Sequence, residues 1–356
     1  LGSVLKSQNN SPIYFSSILS KFRKPDELSK LSFIATDISY KFPNGNIGLK
    51  NVNIAAEGGQ LIALMGGSGA GKSTLLNVLN GNEYPSTGNL KINGIDLHKN
   101  KTQLEGVIGY VPQDDLLVEE LTVFDNLLFT AKLCFKNKDE EELIELSKNL
   151  LEALGLSKAA PLKVGSPLEK TISGGQRKRL NIGLELIREP SILFVDEPTS
   201  GLSSRDSENI MDLLKELSLK GKLIFVVIHQ PSEDIFKMFD ELVILDVGGY
   251  QIYHGNPSEA IPYFKSLVQL VNASSSTNPE QIFNIIESKM IDENGHFTQK
   301  RKISPEEWEA HYLKKIPFKS VKETTNLPQK TLEIPNKIKQ WLLFCQRDLM
   351  SKLSNK

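Results

Sequence analysis

Residues 60–81 read QLIALMGGSGAGKSTLLNVLNG, and no other stretch restricts the fold of this chain as strongly. A short apolar run leads into Gly66-Gly67-Ser68-Gly69-Ala70-Gly71-Lys72-Ser73, and an amphipathic run ending at Gly81 follows. The octapeptide fits G-x-x-x-x-G-K-[ST] between a strand and a helix, the context in which glycines let a backbone wrap phosphate oxygens. Lys72 is then placed to neutralise β and γ oxygens, and Ser73 to ligate Mg²⁺, with Thr74 next to it. Such a loop predicts an α/β fold with a mainly parallel sheet.

Two later stretches supply what the loop needs. SILFVDEP and KLIFVVIHQP are short apolar runs ending in polar residues, a pattern that suits parallel strands buried on both faces. Asp196 ends the first and can hold the Mg²⁺ shell; Glu197 follows and can polarise an attacking water. Gln113 in GYVPQDD and His229 in FVVIHQP also follow strands, though neither is diagnostic alone. TISGGQRKRL, at 171–180, reads as a second helix start offered to an anion.

The rest of the chain is organised around this core. LSFIATDISYKF and GLKNVNIAAEGG read as strands, and Asn93-Gly94 marks a tight hairpin. Glu140 to Leu154 carries leucines at helical spacing and stops at Gly155. DELVILDVGGYQIYHG reads as a hairpin turning at Gly248-Gly249. Residues 1–30 are expected to be a linker or loosely attached helix. From about 271 a linker is expected to lead into a helix capped by Asn278 with Pro279 at its first position. Residues 292–329 are charged and turn-rich. Ile338, Trp341, Leu342, Cys345 and Leu349 mark an amphipathic helix over 337–356.

Bulk numbers exclude several classes. Lys plus Arg total 42 against 43 Asp plus Glu, so overall charge gives no reason to expect nucleic acid. The 2 cysteines, Cys134 and Cys345, have no metal-like spacing and suggest a reducing compartment. No apolar run approaches the ~20 residues that span a bilayer.

The phosphate loop, PQDD, ISGGQ, LFVDEPTSGL and VIHQP occur in that order, and together they resemble the ATP-binding-cassette nucleotide-binding domain across Leu31 to Tyr263. LTVFDNL, SGGQRKRLNIGLELI, VIHQPS, IFKMFDELVIL and TNPEQIF narrow the resemblance to the G subfamily, half-transporters whose ATPase domain precedes the membrane domain. The resemblance implies a phosphate-loop core at 31–270, an N-terminal antiparallel β subdomain, an inserted helical and signature subdomain near 114–190, and a linker and helical extension at 271–336. The helix at 337–356 would be the connecting helix on the cytosolic membrane surface, leading to a membrane domain outside this chain.

Residue roles follow from the same resemblance. Gly66 to Thr74 and Lys72 would bind ATP. Ser73, Gln113 and Asp196 would hold Mg²⁺, with Gln113 also sensing the membrane domain. Glu197 would position or deprotonate water, and His229 would contact the γ-phosphate. Ser173, Gly174, Gly175 and Gln176 would complete the site on a second copy, with Arg177, Lys178 and Arg179 forming solvated first turns of the helix behind them. Phe42 would stack on adenine, with Tyr40 as the alternative. The implied function is an ATPase driving export of lipid-like or hydrophobic cargo on the cytoplasmic side of a membrane.

Three departures stand out: Ser203 replaces the usual Asp that links two ATP sites, Asp125 replaces a usual Glu, and Gln281 falls where an acid is common. Ser203 keeps open a hydrolytically weak partner in a heterodimer. A soluble cassette ATPase acting on nucleic acid or ribosomes is the other rival, without the coiled-coil insertion or second cassette that such proteins carry.

Overall fold

The computed structural model describes residues 4–7, 10–14, 31–166, 171–268, 278–292, 296–319, 321, 324, 326 and 332–354. The expected linker residues 271–277 lie outside these. Val4–Ser7 (β1) and Asn10–Tyr14 (β2) pair antiparallel, with Val4 opposite Tyr14 and Leu5 opposite Ile13. A helix or linker was expected here. A strand pair is found instead.

Ser32–Lys41 (β3) and Ile47–Glu57 (β4) form the expected antiparallel pair. Leu61–Gly66 (β5) enters the phosphate loop and Lys72–Leu79 (α1) leaves it. Thr87–Ile92 (β6) and Ile95–Asp96 (β7) turn at Asn93 and Gly94, with φ of 49° and 77°. Two consecutive positive φ angles are what a two-residue primed turn requires. Ile108–Val111 (β8) leads to three helices: Val123–Cys134 (α2), Glu140–Ala153 (α3) and Gly174–Leu186 (α4). Ile192–Asp196 (β9), Ser204–Leu219 (α5) and Leu223–Val227 (β10) follow. Glu233–Phe236 (α6), Glu241–Asp246 (β11), Tyr250–Gly255 (β12) and Pro257–Leu267 (α7) complete the expected cassette.

The principal sheet runs β7-β6-β3-β4-β12-β11-β5-β10-β9-β8. Strands β11-β5-β10-β9-β8 are parallel; β7-β6-β3-β4 are antiparallel. Alternate residues of the central strands enter two separate cores. Ala63, Leu193, Val195 and Val226 join the helical side, while Ile62, Phe194, Phe225 and Val227 join the β-subdomain side. Burial on both faces is why these strands read as unbroken apolar runs. Phe194 and Phe225 stack at 4.9 Å, and Phe33 of β3 closes on Phe225 at 5.1 Å. The antiparallel layer is thereby fastened over the nucleotide-loop strands.

The extension is more ordered than its charge suggested. Glu280–Ile286 (α8) packs on α7 and Pro305–Lys315 (α9) on β12, while Lys289–Ile291 (β13) and Phe297–Arg301 (β14) pair antiparallel between them in the chain. Helix α8 starts one residue later than expected, with Pro279 in the cap position, while Asn278 Oδ1 accepts the Glu280 N–H at 3.0 Å. Helix α9 starts with a full capping box, Ser304 with Glu307, and Pro305 at its first position. Its Trp308 is fully buried, with its ring 5.4 Å from that of Phe264 on α7. Arg301 binds both oxygens of buried Asp246 at 2.7 and 2.9 Å. The core therefore continues past 270 into the segment expected to be a linker and helical extension. Lys337–Ser354 (α10) packs on α2, and its Ser351 Oγ donates to Glu120, in the segment just before α2, at 3.0 Å. Its expected apolar face stays uncovered, with Ile338 73% and Trp341 64% exposed and only Leu343 buried.

Glu241 of β11 makes one pH prediction. Its carboxylate accepts from Gln60 at 3.1 Å, pairs with His254 Nε2 at 2.9 Å and meets Lys319. Burial would push its pKa up, but the bonds to His254 and Lys319 outweigh burial and hold it at about 2. A depressed carboxyl favours the folded state only when ionised. Its contribution, on the order of 3 kcal/mol, is expected in full above about pH 4.5 and to fade as pH falls towards 2. Urea titrations across this range should show an acid limb that Glu241→Gln flattens.

Candidate functional site

The loop between β5 and α1 owes its shape to backbone contact. Gly71, at φ 96°, caps α1 with no side chain of its own, so the first N–H groups of the helix face the loop. A Cβ there would meet the Gly48 carbonyl oxygen at 2.6 Å, and one at Gly249 would meet the same oxygen at 2.2 Å. The Phe42 ring closes on Gly48 from the other side, where a Cβ would meet its Cε2 at 2.7 Å. Lys72 folds back onto the Gly66 and Gly67 carbonyls at 3.0 and 2.9 Å. Burial pulls its ammonium pKa down, and Glu197 and Asp196 oppose that.

Opposite the loop, Asp196 closes β9. Burial raises its pKa and Glu197 raises it further, against Lys72 and Lys178. Its Oδ1 is buried and finds no hydrogen-bond partner among the described residues. A buried carboxylate oxygen left unmatched beside a phosphate loop fits a divalent cation, so the residues present fit Mg²⁺. Glu197 sits at φ 43°, a left-handed backbone that a glutamate rarely adopts. Gln113 Nε2 donates to its Oε2 at 3.1 Å, and His229 Nε2 lies 3.1 Å from its Oε1. Three strand ends thus deliver one carboxylate held between an amide and an imidazole.

The cleft between these groups has a volume of about 480 Å³ and is lined by Phe42, Gly48, Ser68 to Thr74, Glu197 and His229, with Ala70 buried beneath. Phe42 lines it, whereas Tyr40 turns away and donates its hydroxyl to Glu83 at 3.1 Å. A second cleft of about 620 Å³ shares Glu197 and His229 and runs past Ser200, Ser204, Ser207 and Asn278.

Ser173, Gly174, Gly175 and Gln176 line neither cleft. Ser173 caps α4: its N–H donates to Gln176 Oε1 at 2.8 Å, and Gln176 N–H donates to Ser173 Oγ at 3.2 Å. Gly175 abuts Asp206, where a Cβ would meet Oδ1 at 2.6 Å. Ser203 caps α5, donating its hydroxyl to Asp206 Oδ2 at 2.8 Å.

The solvated basic turn expected at Arg177 to Arg179 is corrected. Arg177 is buried and binds Asp115, Lys178 reaches the Gln113 carbonyl, and Arg179 donates to the Leu154 carbonyl at 3.1 Å. Such a run looks solvated in sequence because its partners lie on other elements. Asp115 was visible only as part of PQDD, and nothing local identified it as a partner of Arg177. The carboxylate of Glu287, which reaches to within 2.9 Å of a Cβ position on Gly67, gave no sequence signal.

Comparison with known proteins gives a consistent picture. The ABC transporter family model matches residues 49–200, and the ABC-2 type transporter model matches 229–342. The chain is 33% identical over 330 residues to white-brown complex homolog protein 30 of Arabidopsis thaliana, covering 90% of this chain and 30% of that protein. It is 42% identical over 212 residues to the broad substrate specificity ATP-binding cassette transporter ABCG2 of Mus musculus, covering 58% of this chain and 31% of that one. A dimeric post-hydrolysis structure of the ATP-binding cassette MJ0796 with ADP and Pi superposes with TM-score 0.55 and 27% identity, over 63% of this chain and 98% of that one. The chain thus spans less than a third of the length of these curated relatives. None of the described helices is long and apolar enough to cross a membrane.

Proposed function

Because this chain belongs to the ATP-binding-cassette transporter family and carries its ATPase domain, we propose that it powers export of lipid-like or hydrophobic cargo through ATP-driven closure of two such domains. The observation that carries this reading is a split. Gln113, Asp196, Glu197 and His229 gather at the phosphate loop, while Ser173 to Gln176 lie outside that cleft. A second copy supplies the missing side.

In this reading Lys72 leaves the Gly66 and Gly67 carbonyls for phosphate oxygens, and Ser73, Gln113 and Asp196 would hold Mg²⁺, which would supply charge neutralisation to the phosphates. Phe42 offers its ring to the adenine. Glu197 takes the proton of the attacking water while Gln113 and His229 orient it, and His229 turns to the γ-phosphate. The Ser173 hydroxyl and the Gly174 and Gly175 backbone close the cleft of the partner copy. Catalysis then rests on positioning and charge neutralisation in a water-restricted space. The uncovered face of α10, with Trp341 and its lysines, rests on the cytosolic membrane surface. A hydrolytically weaker role in a heterodimer draws on Ser203, whose hydroxyl is committed to Asp206.

Ser173→Arg tests the split. It is expected to abolish nucleotide-dependent dimer formation, read by sedimentation, while each monomer still binds a fluorescent ATP analogue as before. Dimers that form undiminished in this variant would remove Ser173 from the shared site.

A further inference from the structure

Helix α4 is bonded along the length of the Gln113 segment. Tyr110 N–H donates to Glu185 at 3.2 Å, Asn181 donates to the Pro112 carbonyl at 3.5 Å, and Leu116 N–H donates to Asn181 at 3.4 Å. Lys178 binds the Gln113 carbonyl. Positions 177, 178, 181 and 185 fall on one side of a helix. The strongest member is a forked pair. Arg177 Nε and Nη2 donate to the two Asp115 oxygens at 2.9 and 3.0 Å, with the side chains only 7% and 24% exposed. Parallel N–H···O bonds from one guanidinium fix orientation as well as distance.

The two ends of this assembly carry different duties. Gln113 reaches Glu197 in the cleft of its own chain. Ser173 stands at the start of α4, one turn from Arg177, outside that cleft. The carboxylate usual at position 203, which would link two sites, is a hydroxyl here and is occupied by Asp206.

We propose that Asp115 and Arg177 are a positioning pair through which one nucleotide site reports its state to the other. A shift of Gln113 towards a bound nucleotide moves α4, and α4 carries Ser173 against the nucleotide of the second copy. Neither residue touches reacting atoms. The inference rests on the reading of Ser173 as completing the site of a second copy.

The test uses this chain with Mg²⁺ and ATP. Asp115→Asn, which keeps shape and one acceptor, is expected to lower kcat about tenfold and bring the Hill coefficient for ATP down to 1. Binding of a fluorescent ATP analogue to the monomer should stay within about twofold of the unaltered chain, since the phosphate loop is untouched. Arg177→Lys keeps charge without the fork and should show the same loss of cooperativity, even if Asp115→Asn folds poorly. The double variant Asp115→Asn with Arg177→Lys should be no worse than either single one. A Hill coefficient preserved in both single variants, or additive losses in the double, overturns the pair. A Hill coefficient of 1 in the unaltered chain overturns the shared-site reading itself, and this inference with it.

Discussion

Glu197→Gln is expected to lower kcat for ATP hydrolysis by about 10²- to 10⁴-fold, the range a positioned general base contributes. Nucleotide-bound dimers should accumulate. The substitution is nearly isosteric, so the left-handed backbone at 197 need not change. The amide oxygen can still accept from Gln113, and the amide N–H₂ can still meet the imidazole of His229. What is lost is the ability to take a proton. The loop, Lys72 and Asp196 are untouched, so ATP should bind as before and fail to leave by hydrolysis. Sedimentation with ATP and Mg²⁺ should show a stable dimer where the unaltered chain shows a transient one. Undiminished turnover would strip Glu197 of this role.

Trp308→Ala is expected to cost about 3–5 kcal/mol of stability, the usual range for removing a fully buried aromatic from a packed core. Trp308 sits edge-on to Phe264, which itself contacts Tyr253 of β12 and Tyr263. Its indole N–H finds no hydrogen-bond partner among the described residues. Trp308→Phe removes that orphan donor along with some volume, and so should cost far less than alanine. Urea unfolding of both variants would measure the difference. An alanine cost below about 1 kcal/mol would mean that α9 is an appendage rather than part of the core.

That second expectation touches the limit of what sequence patterning reveals. The strands LIALMG, ILFVD and LIFVV were legible because each is buried on both faces and so stays apolar throughout. The phosphate loop, Asp196 and Glu197 could be read as chemistry placed after strands, whereas Gln113 and His229 were singled out only by the resemblance to a family; the structure brings both to within 3.1 Å of Glu197. Helix α9 falls in the expected helical extension but was not located within it, although SPEEWE carried a capping box and a proline start. Its single buried tryptophan, set among charges, makes a weak periodic signal. The burial of Arg177 was illegible for a different reason: a basic run reads as solvated until the carboxylate that neutralises it is located in space. The β1–β2 pairing could not be foreseen from two short stretches in a polar segment.

The Gly48 carbonyl oxygen, approached by Gly71 from one side and Gly249 from another, has a consequence for how such a site can drift over generations. The ring of Phe42 and the start of α1 are spaced by main chain meeting main chain, with no side chain between them. A mutation in the cleft can therefore alter the chemistry offered to a ligand without altering the distance between its two ends. The ruler is written in three residues that have no side chain to vary, and a change at any one of them is a change of length.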